Sequence, residues 1–163
     1  DLVNINGEEL VTNYISHRLK SGIIIGFEFI KEKNVIGFSN SAFRAELIPE
    51  KLSIPQDVAV VDWFFYTLLL HAGHKAVFSN EMITYYRQYS DNMIGINNET
   101  LDNYKKKLAL KAMHYRYLSS SFTEFEELAK KYSKEKNLTD IQVSTLLQNN
   151  KITYPLWWEN IKI

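Results

Sequence analysis

Apolar and polar positions divide this 163-residue chain into a strand-patterned first part and a helix-patterned second part. The longest apolar stretch runs over residues 58–70, inside 53–73, and its single charged side chain is Asp62. A segment that is apolar nearly all round predicts an interior helix, over 57–72, with Asp57 as N-cap and Gly73 as the residue after its C-cap. Before it, Leu10, Val11, Tyr14, Ile15 and Leu19 recur at helical spacing and predict a short helix over 7–20. The β-branched and aromatic run at 22–30 predicts a strand, and 35–38 a second one, paired as a hairpin across 31–34. After the central helix, 76–78 and 81–87 are strand-like, and 90–98 is a polar loop. Helices follow over 98–118, 123–136 with Thr123 and Glu126 as a capping pair, and 139–150 with Thr139 as cap. A tail over 154–163 docks through Trp157 and Trp158. On the first of these helices Leu101, Tyr104, Leu108, Ala112 and Tyr115 form the apolar stripe, with Lys105, Lys106, Lys107 and Lys111 mostly off it.

The fold class that follows is α/β in the α+β sense. It is a short mixed sheet from 23–38 and 75–88, the 57–72 helix packed on it, and a helical tail. The division falls into 1–97 and 98–163. A 45% hydrophobic content supports a real core, so the chain is not globally disordered. Lys plus Arg equals Asp plus Glu, at 19 each, so no overall field draws the chain to nucleic acid. There is no Cys, which excludes disulfides, thiolate metal sites and a Cys nucleophile, and fits a cytoplasmic setting. No apolar run reaches the roughly 20 residues that span a bilayer. The chain opens on Asp1 rather than Met and is expected to be a piece of a longer protein.

The candidate chemistry centres on Asp62. A carboxylate on an apolar helix is costly unless something pairs with it or uses it, and burial raises its pKa and makes it a better base. A half-exposed surface Asp, or one tied to a structural Arg, is the competing reading. Arg87, on the aromatic strand, is the candidate anion binder or ion-pair partner. Ser39 and Ser41 follow a strand as N-caps or as the hydroxyl-rich wall of a pocket. His71 and His74 have a weak metal spacing, or complement the helix dipole. The basic helix and Trp-rich tail allow peripheral membrane contact, against the plainer reading of a solvated charged face.

The order of these features is specific. Gly37-x-Ser39-Asn40-Ser41-Ala42-Phe43-Arg44 is followed by Pro55 and, seven residues on, Asp62-Trp63. Ala72-Gly73-His74-Lys75 comes next, then Tyr85-Tyr86-Arg87-Gln88 with Asn92 and Gly95. From residue 22 to residue 95 this resembles the C-terminal half of a family 2 glycosyltransferase of the GT-A fold. The resemblance implies inverting transfer of a sugar from a nucleotide-sugar donor to a glycan or lipid-linked acceptor, in polysaccharide synthesis of a bacterial type. It implies Asp62 as general base and Trp63 as a ring face for the acceptor. Ser39, Asn40 and Ser41 would line the acceptor pocket, and Arg87 and Gln88 would lie near the donor phosphates. A divalent metal, Mn or Mg, is implied for the full-length enzyme and none for this part. Three positions depart from the pattern. Tyr89 stands where many members carry a metal-ligating His, Val61 stands where an acid precedes the base, and the nucleotide-binding half would precede residue 1. The chain by itself is therefore expected to be inactive. A sheet cut from its partner strands exposes an edge, so a homo-oligomer is expected. The alternative is a non-catalytic binding or assembly module on the same scaffold.

Overall fold

A computed structural model describes residues 1–89, 100–149 and 155–159. Among these it is a mixed α and β chain with five α-helices and short strands in two sheets. The first sheet has the order β2 (Glu9–Val11), β1 (Leu2–Val3), β5 (Tyr86–Arg87). β1 pairs antiparallel with β2 and parallel with β5, in register Leu2 with Tyr86 and Val3 with Arg87. The second sheet pairs β3 (Ile24–Ile25) antiparallel with β4 (Ala76–Val77). The single sheet expected from 23–38 and 75–88 is thus divided, and the chain ahead of residue 22 supplies two of its strands.

Local hydrogen bonds explain these departures. Residues 7–20 do not form a helix, because Gly7 takes φ 86° and Asn4 accepts the N–H groups of Asn6 and Glu8 through its side chain. That turn folds β2 back on β1, and only a 3-10 turn remains at Ile15–His17. Residues 22–30 change from strand to helix at Gly26, which is the extended N-cap of α1 (Phe27–Ile30). The hairpin over 22–38 is absent for a second reason. Buried Asn34 closes on its own backbone, accepting from Ile36 N–H at 2.9 Å and donating to Ile36 O at 3.0 Å, so residues 34–36 lack a strand partner on that side. The Asn34 N–H goes instead to Trp157 O, at 2.6 Å.

The central helix α2 (Val61–His71) begins after Val60, not at Asp57. Asp57 is turned to α3 (Leu101–Ser119), accepting from the Tyr117 hydroxyl and lying 3.6 Å from Arg116. The C-terminal end of α2 behaves as its sequence predicts. Gly73 has φ 95°, its N–H bonds Leu70 O, and His74 N–H bonds Leu69 O, the two bonds of a Schellman motif.

Thr100 caps α3 through Asn103 N–H, and the predicted stripe residues Tyr104, Leu108, Ala112 and Tyr115 are buried. Lys111, placed by pattern off that stripe, is buried too. A 3-10 turn at Thr123–Phe125 precedes α4 (Glu126–Glu135), and Thr123 makes no cap bond to it. The α5 helix (Asp140–Asn149) does have Thr139 as its cap, in a reciprocal pair: Thr139 N–H bonds Gln142 Oε1 and Gln142 N–H bonds Thr139 Oγ1. Leu156 and Trp158 are buried, so the tail docks. One apolar cluster runs from Leu19 to Trp158 and includes α2, α3, α4 and α5, so the part after residue 98 shares the core of the first part rather than trailing from it. The loop expected at 90–98 lies outside the described residues. No helix among the described residues is long and apolar enough to cross a membrane.

Candidate functional site

Asp62 is the second residue of α2, where the positive end of the helix dipole favours an acid. Its Oδ1 accepts the N–H of Trp63 at 2.6 Å. Its side chain is half-buried, and burial raises its pKa above the ordinary aspartate value, opposed by backbone hydrogen bonds at Trp63 and at Asp62 itself. No cation contributes to that shift.

The loop 37–41 passes over this end of the helix. A Cβ on Gly37 would stand 3.1 Å from Trp157 Cζ3, 3.2 Å from Asn40 Oδ1 and 3.4 Å from Asp62 Oδ2. Glycine is what lets the backbone come this close to the Trp157 ring and the Asn40 side chain, with Asp62 Oδ2 at ordinary contact distance. Asn40 holds the loop: its Oδ1 accepts Gly37 N–H at 2.6 Å and its Nδ2 donates to Val35 O at 3.3 Å. Tyr66, one turn after Asp62, lies 2.6 Å from Ser41 Oγ. Ser41 Oγ donates to Gly37 O at 2.5 Å, which uses its single hydrogen, so Tyr66 is the donor to Ser41. Tyr86 of β5 completes the recess. Its ring is 5.8 Å from that of Trp157, and its pKa is raised first by burial and then by the Asp62 charge. The same two causes act on Tyr66, with the Ser41 hydrogen bond opposing them.

The residues singled out by sequence divide clearly. Asp62, Asn40 and Ser41 come together. Ser39 is exposed on the same loop. Trp63 does not present a ring face to a ligand. It is fully buried, its Nε1 donates to Ile30 O at 2.8 Å, and its ring is stacked between His114, at 4.1 Å, and Trp158, at 5.9 Å. The reason is helical geometry: Trp63 sits about 100° round the axis from Asp62, and that direction points into the core. Arg87 is exposed and alternates with Tyr86 along β5, so Tyr86 is the side chain on the Asp62 side. Gln88 bonds through its N–H to Val3 O, while its side-chain Oε1 and Nε2 are buried without a partner. Tyr89 is exposed, and Val61 is exposed at 40%.

Sequence reasoning passed over Tyr66, Tyr86, Trp157 and the close approach at Gly37. Tyr66 had a signal, its spacing of four from Asp62 on a helix. Tyr86 had one in its strand parity. Trp157 had none, since long-range contacts of the tail, the Asn34–Trp157 pairing among them, bring it here.

The arrangement is suited to accept a proton from a hydroxyl: a half-exposed carboxylate of raised pKa, with the phenols of Tyr66 and Tyr86 and the indole of Trp157 nearby. Among the described residues no three His, Asp or Glu side chains converge as metal ligands, and His71 is taken up by Glu124, at 3.3 Å, and by the rings of Phe27 and Phe122. No family model, no curated protein and no solved structure matches the chain.

Proposed function

We propose that the chain carries the acceptor side of an inverting glycosyltransferase, family 2-like and of GT-A type, with Asp62 as general base. The observation that carries this reading is the half-buried carboxyl of Asp62, its pKa raised by burial, facing the Gly37–Ser41 loop, Tyr66, Tyr86 and Trp157. An acceptor hydroxyl donates to the Asp62 carboxylate. As its oxygen attacks the anomeric carbon of a nucleotide-sugar donor, the new C–O bond forms and the proton passes to Asp62. The bond to the leaving diphosphate breaks, and its electron pair departs with the phosphate oxygen. Trp157 and Tyr86, rather than Trp63, flank the acceptor in this account, and the acceptor is a glycan or a lipid-linked sugar.

The test uses the protein that carries this chain at full length, with a panel of nucleotide sugars and glycan acceptors. Asp62→Asn is expected to lower transfer by about 10²–10⁴-fold, the usual contribution of a positioned base, with the circular dichroism spectrum unchanged. Wild-type rates in that variant remove Asp62 from the mechanism. The exposure of Arg87, turned from Asp62, is the observation that favours a second reading, a non-catalytic binding or assembly module. Saturable glycan binding without transfer, for every donor in the panel, is the outcome that selects it.

A further inference from the structure

We propose that the groove between α3 and α4 binds a phosphate group, carried either by a soluble phosphate ester or by an anionic lipid headgroup. The groove has a volume of about 440 Å³, and four cationic side chains line it: Arg116 from α3, and Lys130, Lys134 and Lys136 from α4 and its C-cap. Ser119 and Ser133 add hydroxyls, and no acid is among the lining residues. Ala112 and Ala129 at the same groove keep it open, because neither fills the space between the helices.

Two of the cations have carboxylate partners, and both partners lie outside the lining. Lys130 Nζ is 2.7 Å from Glu127, and Arg116 is 3.6 Å from Asp57. Such exposed pairs are weak and exchange readily with a better anion. Among the described residues Lys134 and Lys136 have no carboxylate within salt-bridge distance, and Lys134 acts on Glu127 only through its charge. The chain has no net charge, so this one-signed cluster is a local feature, not a share of a generally basic surface. Cationic side chains that line one concavity together attract an anion into it. A phosphate group supplies that anion, with acceptor oxygens for an Arg fork, for ammonium groups and for serine hydroxyls. The competing account is that Arg116 and Lys134, in the last turns of their helices, only complement the helix dipoles. The groove shares no residue with the Asp62 recess, so this inference stands or falls apart from the proposed activity.

Two probes separate the sources. Calorimetric titration with pyrophosphate tests a soluble phosphate. Flotation with phosphatidylcholine vesicles containing phosphatidylglycerol, against phosphatidylcholine alone, tests a lipid headgroup. At least one probe is expected to bind, more weakly as salt rises. The double substitution Lys134→Gln and Lys136→Gln is expected to weaken that binding about tenfold or more, while Lys51→Gln, in a loop outside the groove, leaves it unchanged. Both sets of substitutions are on exposed side chains, and far-ultraviolet circular dichroism verifies that α4 is retained. No binding of either probe, or a smaller loss in the double variant, overturns the proposal.

Discussion

Asp62 and Trp63 are neighbours in sequence, yet they open onto two differently built regions. On the Asp62 side, burial raises a carboxyl pKa, but a backbone N–H satisfies one oxygen and the side chain remains half-exposed. On the Trp63 side, burial is complete. His114 stacks on the indole at 4.1 Å with both ring nitrogens unpartnered, and desolvation, helped by the charge of Lys111, pushes its pKa down to about 3. Lys111, 2% exposed, lies 5.8 Å from the Trp63 ring and 5.2 Å from the Tyr132 ring, and burial lowers its pKa to about 7. Glu32 and Glu135 act against that shift, and Lys107 and Lys131 act with it. A perturbed pKa is thus present in both regions and distinguishes neither. Access distinguishes them: the Asp62 carboxyl is partly exposed to solvent, and the imidazole of His114, 3% exposed, is not.

The comparison breaks most visibly at Trp63. Trp63→Ala removes the ring that both His114 and Trp158 stack on, and is expected to destabilise the chain by about 3–5 kcal/mol in chemical denaturation. A loss under about 1 kcal/mol would mean that Trp63 is not the centre of the core.

Lys111 sharpens the comparison through pH. Its folded-state pKa, about 7, lies below the ordinary lysine value of 10.5. Between those values the unfolded chain holds a proton that the folded chain does not. Stability therefore rises with pH across that window, by up to about 1.4 kcal/mol per pH unit from this group, and the penalty is fully present below pH 7. Lys111→Met is expected to flatten that rise and to stabilise the chain at neutral pH by about 1–4 kcal/mol. A variant with the same slope between pH 7 and 9 would place the titration elsewhere.

Gly37→Ala is the smallest change and acts only on the recess. The added methyl meets Trp157 at 3.1 Å and Asn40 at 3.2 Å. A destabilisation of about 1 kcal/mol is expected, with quenching or a shift of tryptophan fluorescence as Trp157 moves. Unchanged fluorescence and unchanged stability would show that the loop does not close on Asp62 as described.

The helical part was largely legible in the sequence and the strand part was not. Helices α3 and α5 follow from local signals, α3 from its stripe of period 3.6 and α5 from Thr139 as its cap, while the cap at Thr100 and the partner Gln142 emerged only in the structure. Gly73 at the end of α2 was legible for the same reason. The strands here are two or three residues long, too short for alternation to establish them, and side chains such as Asn4 and Asn34 hold the backbone where pattern implied a helix and a hairpin. In the site, Asp62 was legible because an acid stands out in an apolar run. The role of its neighbours depended on rotation about α2 and on the distant residue Trp157, and neither is written in local spacing.

The central claim is that the Asp62 carboxyl is held, desolvated, as a base. A carbon-detected NMR titration of that carboxyl tests it directly, with Asp62→Asn identifying the signal. The account predicts a midpoint clearly above the ordinary aspartate value of 3.8, and an Asp62→Asn chain at least as stable at neutral pH, because a carboxyl whose folded pKa is raised costs stability once it ionises. A midpoint at or below 3.8 would contradict it.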